Sequence, residues 1–200
     1  MVAEKKYNFS FTGASLRTRE LVMVGKHLTE QPMDNIESIL GNGKIAAGSR
    51  FLKEMSKRFK VLSPLQQRTL ITGSFKTQKE IAFIGTCKYF SFIRDFIVEV
   101  IREKYLVYDY ELTEGDYISF FRRKAEQHSE MDKLTEITQK KVKQVTFKIL
   151  EQAGLIDSIK TKMIQPQLLE PETRNAILND HTDLFKIFLL SDFDIEKLNA

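Results

Sequence analysis

One cysteine, three histidines, nine glycines and four prolines in 200 residues remove several kinds of chemistry at the outset. Cys87 sits within the apolar run from Ile81 to Cys87, so no intrachain disulfide and no cysteine metal cluster can form, and the thiol is expected to be buried. No CxxC motif and no basic helix start lies beside it to favour redox chemistry. His27, His128 and His181 fall in separate predicted elements without HExxH spacing, which points to structural or surface roles. Gly41-Asn42-Gly43-Lys44 and Thr72-Gly73-Ser74 lack both the GxxxxGK[ST] form and a preceding buried strand, so they are read as helix breaks.

The carboxylates are equally unpromising for catalysis. Asp95 and Glu99 share a helix face, but Arg94 and Arg102 lie alongside and offer ordinary ion pairs. With Glu20, Glu114 and Asp116 they are weighed as a metal-dependent nuclease set and set aside. No Ser-His-Asp or Cys-His arrangement is visible. The expectation is a protein that binds rather than catalyses, with no catalytic, cofactor or metal residues.

Long uncharged apolar stretches are also missing. The most lipid-like window, Ile81 to Ile101, contains Lys88, Arg94, Asp95 and Glu99, charges that are costly at bilayer depth. The opening Met1-Val2-Ala3-Glu4-Lys5-Lys6 runs into Tyr7-Asn8-Phe9-Ser10 with no export-type apolar core. A cytoplasmic protein without membrane insertion is expected.

What is present is the balance of a folded chain, with 42% hydrophobic and 29% charged residues. The net charge of +4 and pI of about 9.0 permit an anionic partner, and the distribution is more telling than the total. Lys44, Arg50, Lys53, Lys57, Arg58 and Lys60 are opposed locally only by Glu54, whereas the tail from Leu169 is mixed to acidic.

Patterning predicts a mainly all-α chain. Tyr7 to Thr12 alternates as a short extended arm, and Ser15 caps a helix from Leu16. A short helix carries Ile36 to Leu40, a basic one runs Ile45 to Phe59, and Ser63-Pro64 restarts the chain into Leu65 to Thr72. Two long apolar helices, Ser74 to Phe90 and Ser91 to Leu106, form the centre of the core, and Tyr105 to Tyr110 is a helix end and loop. Thr113 with Glu114 and Asp116 begins the next helix. The polar bridge His128 to Asp132 sets a boundary between an N-terminal helical domain, 1–128, and a C-terminal domain, 129–200.

Beyond it, a helix through Gln152 closes on Gly154, and Ile159 to Ile164 partly alternates. Helix, turn, helix and a small β-ribbon is the order of a winged helix-turn-helix domain. Pro171 to Leu178 and Asp183 to Leu190 complete the chain as helices.

Two basic surfaces then become candidates for nucleic acid. Arg50, Lys53, Lys57, Arg58 and Lys60 form the denser one. On the late helix Lys140, Lys141, Gln144 and Lys148 can face a groove, with Gln144 able to read a base edge and Lys160 and Lys162 in the wing. Lys-rich helices are also common solvated or protein-facing surfaces, and for the late segment both readings stand open.

The segments Tyr7 to Leu16 with Glu20, Ser49 to Phe59 and Lys143 to Ile156 together resemble the BrxA proteins of bacteriophage exclusion systems, in length and element order over nearly the whole chain. That resemblance implies a non-enzymatic anti-phage component built from a NusB-like helical bundle followed by a winged helix, with double-stranded DNA as ligand. Arg50 and Arg58 lie in the matching basic stretch, while the late helix offers lysines and no arginine, so sequence-specific reading is not implied. An adaptor docking on other phage-exclusion proteins is the alternative. RNA as ligand and the oligomeric state stay open, since the apolar arm can pack on its own chain or a neighbour's.

Overall fold

The computed structural model describes residues 6–199. A 3-10 turn at Ser10–Gly13 precedes α1 (Thr18–Thr29), α2 (Ile36–Leu40), α3 (Ile45–Lys60), α4 (Pro64–Thr72) and α5 (Phe75–Tyr89). Next come α6 (Ser91–Phe96), a π-turn at Ile97–Ile101, α7 (Arg102–Leu106), α8 (Glu114–Gln127) and α9 (Glu136–Ala153). Then follow α10 (Pro171–Leu178), a 3-10 segment at Thr182–Phe188 where a regular helix was expected, and α11 (Asp192–Asn199), which was not anticipated.

Local chemistry explains most of these boundaries. Ser63 and Gln66 form a reciprocal capping box with Pro64 in the first turn of α4, and Thr113 and Asp116 do the same for α8. Thr135 caps α9 through the amide of Thr138, and Gly154, at φ 85, ends that helix in the left-handed conformation that a glycine adopts without strain. Ser15 does not cap α1: the helix starts at Thr18, after Arg17 turns the chain at φ 51.

The expected winged helix is not formed. Among the described residues there is no β-strand, only isolated antiparallel bridges, Ile156 to Ile164 and Glu111 to Met163. Asp157 is the physical reason. Its carboxylate accepts the amides of Ser158 and Met163 and the Thr161 hydroxyl, and the Lys162 amide bonds Ser158 O with Lys162 at φ 56. These bonds wind residues 158–162 into a tight turn, so the partial alternation of Ile159 to Ile164 never becomes a ribbon. The fold is all-α.

The chain divides into two compact units, each built from separate stretches. One comprises the stretch ending at Ser15, Phe90–Gln167 and Phe185–Asp194; the other comprises Leu16–Tyr89, Leu168–Leu184 and the residues from Ile195. The boundary expected at His128 thus falls inside the first unit. There α8 and α9 share an aromatic core in which Tyr117 and Phe96 meet Phe147 at ring-centroid distances of 5.7 and 6.3 Å. His128 is itself buried, stacked on Tyr7 at 3.8 Å and bonded to Glu130. The arm expected from the alternation at Tyr7 to Thr12 packs within this unit, its second half wound into the 3-10 turn rather than extended, with Tyr7 reaching Phe92 at 5.3 Å and donating a hydrogen bond from its hydroxyl to Asp95.

In the other unit α3 packs on α1, α2 and α5, and α10 packs on α4 and α5. Met55, Phe59 and Leu62 line up with Leu21, Val24, Leu70, Ile81 and Ile177 as buried apolar residues. Helix crossings are close here. A Cβ at Gly25 would lie 2.7 Å from the Phe59 ring, and one at Gly48 would lie 1.7 Å from the Glu37 carbonyl oxygen.

Candidate nucleic-acid interface

The basic helix α3 is amphipathic by construction. Met55 and Phe59 hold one side in the core, while Arg50, Lys53, Lys57 and Lys60 recur at intervals of three and four residues and are all exposed. Ten residues at the α-helical rise place this stripe over about 15 Å. None of the four makes an ion pair among the described residues; Arg50 only donates to Ala46 O on its own helix. Lys44, just before α3, is exposed too.

Arg58 departs from the expected face. It has no accessible surface, and its Nε lies 3.4 Å from Glu54 Oε1. Burial pushes the guanidinium down to about 10, against the pull of Glu54. It serves the interior of α3 and has no accessible side chain to offer a phosphate.

The late candidates are differently placed. Lys140, Lys141, Gln144 and Lys148 are exposed on α9, but Lys141 donates to Gln144 at 3.1 Å and Lys148 to Glu151 at 2.6 Å. The first of these bonds engages Oε1 of Gln144, one half of the amide that was to read a base. Hydrogen bonding from Lys148 holds the Glu151 carboxyl below the usual range, and Lys143 does the same to Glu114. Lys160 is exposed, whereas Lys162 is half-buried with its Nζ 5.9 Å from the Phe147 ring centroid. The structure therefore gathers Arg50, Lys53, Lys57 and Lys60 on one helix face and leaves the late set partly engaged.

One cation in α8 escaped the sequence reading. In the run Arg122-Arg123-Lys124, Arg123 and Lys124 both bind Glu99, at 2.9 and 2.7 Å, and Arg122 is left exposed without an ion pair among the described residues. The basic triplet was the available signal.

Other candidates resolve into structure. Asp95 holds Tyr7 and Arg94, and His27 accepts the Met33 amide at its Nδ1. Cys87 is buried. Among the described residues no group of three or more His, Cys, Asp or Glu is placed to hold a metal ion, and no helix is long and apolar enough to cross a membrane.

Fold and site together define an all-helical protein with exposed basic helix faces. A family model described as BrxA matches residues 5–181, and the chain belongs to the BrxA family of BREX anti-phage defence systems. A BREX protein BrxA of Bacillus cereus is 29% identical over 103 residues, which span about half of each chain (52% and 52%). A BREX protein BrxA of Escherichia coli is 20% identical over 181 residues, 87% of this chain and 85% of that one. A crystal structure of an uncharacterized protein from Magnetospirillum magneticum superimposes with a TM-score of 0.78 over 92% of this chain and 98% of that one, at 16% identity, a likeness of fold.

Proposed function

We propose that this chain is a non-enzymatic, double-stranded DNA-binding component of its defence system, and that it holds DNA through phosphates. The observation that carries this reading is the stripe Arg50, Lys53, Lys57 and Lys60, four exposed cations on three turns of one helix with no acidic side chain paired to them among the described residues. A stripe of that length follows successive phosphates and gains affinity by releasing condensed counterions, with little dependence on base sequence. The engaged Gln144 supports the same lack of specificity.

Electrophoretic mobility of purified protein with duplexes of unrelated sequence tests the proposal. Comparable shifts with all duplexes at low salt, weakening steadily as salt rises, are the expected result. No shift at low salt contradicts the proposal, and tighter competition by RNA of the same sequence assigns the surface to RNA instead.

A further inference from the structure

We infer that the valley between α8 and α9 is a docking groove for an acidic, amphipathic peptide segment of a partner protein. This groove lies wholly within the first unit, away in sequence from the α3 stripe, and encloses about 420 Å³, enough for one or two large side chains. Ile118, Phe121 and Ala125 of α8 supply an apolar wall, with Tyr117 beneath and Arg122 and Lys140 on opposite helices at the rim. Ile118 is 41% exposed although it faces a groove rather than open solvent, a cost that an apolar occupant removes.

The rim gives the occupant its chemistry, since the buried Tyr117 hydroxyl beneath has no surface to offer it. At the rim, Arg122 and Lys140 are exposed and without ion pairs among the described residues, while Lys143 at one end is matched by Glu114 at 2.9 Å. Two separated cations flanking an aliphatic and aromatic trough complement carboxylates on either side of an apolar anchor. A duplex presents only phosphates and sugars on its outside and has no apolar group to seat between Ile118, Phe121 and Ala125, whereas an amphipathic peptide has. The stretch from Ile118 to Ala125 spans about 10 Å, two turns of a bound helix.

Panning a random peptide display library on the full chain, followed by fluorescence anisotropy of the selected peptides, tests this. Selected peptides should carry net negative charge around apolar residues spaced three or four apart. Their affinity should fall roughly tenfold in Arg122→Glu/Lys140→Glu, whose sites are exposed, and be lost in Ala125→Trp, which fills the groove. Ala125→Trp should leave duplex DNA binding unchanged, so the groove and the α3 stripe stand or fall separately. The inference is overturned if no peptides are selected, if they lack acidic residues, if both folded variants bind them as the parent does, or if single-stranded oligonucleotides displace them.

Discussion

Arg58 follows Lys57 directly in sequence, yet one is fully buried and the other exposed. Counting charge along the segment joined them on one surface, whereas the helical spacing from Met55 through Arg58 and Phe59 to Leu62 placed Arg58 with the core. That distinction was legible in the sequence and was overridden by charge density. Arg58→Ala should therefore appear as lost stability, on the order of 3 kcal/mol, because it leaves a cavity and removes the ion pair with Glu54. Arg58→Met should recover much of that, since it fills the volume without a charge to desolvate. Chemical denaturation of both variants checks this, and equal losses would show that the ion pair rather than packing dominates. Glu80 makes a second residue-scale case. Desolvation raises its carboxyl pKa despite the Glu170 amide that it accepts. A raised folded pKa means that protonated Glu80 suits the fold, so its stabilising contribution is full below the ordinary glutamate range and is lost as pH rises through the raised value. Glu80→Gln should match the parent at low pH and become the more stable protein toward neutrality; melting curves across pH that stay parallel would contradict this.

At the scale of elements, the helices were readable because apolar periodicity and capping residues agree, as at Ser63-Pro64 and Thr113-Glu114-Gly115-Asp116. The segment Ile159 to Ile164 departs from its alternation because alternation is blind to a side chain that bonds backbone amides, and Asp157 does that twice, to Ser158 and Met163. Glycines carry a similar hidden constraint. Gly48 in α3 lies against backbone of the α2 segment, and the atom that a Cβ would meet is a carbonyl oxygen rather than a yielding side chain. Gly48→Ala should cost about 3 kcal/mol and expose the amides of α2 to hydrogen exchange before those of α3. Gly13→Ala, with nothing within 4 Å of the added atom, is the control and should be close to neutral. Equal exchange in α2 for the two variants would argue that the close approach is not maintained in solution.

On the scale of the whole molecule, the polar bridge at His128 looked like a linker because hydropathy is a local measure, while the aromatic core that joins α8 to α9 is assembled from residues far apart in sequence. The family was legible as a resemblance spread along the chain, and the partly engaged late helix was not, since the pairing of Lys141 with Gln144 and of Lys148 with Glu151 is settled by rotamers. DNA binding by α3 remains the central claim, and the salt dependence of duplex affinity measures it most directly. For Arg50→Ala/Lys53→Ala/Lys57→Ala, checked by circular dichroism to fold as the parent does, affinity should drop across all duplex sequences and the log–log salt slope should flatten by about one unit for each phosphate contact removed, roughly three in all. A folded triple variant with the parent's affinity and slope over the same salt range would contradict the assignment of DNA to this helix.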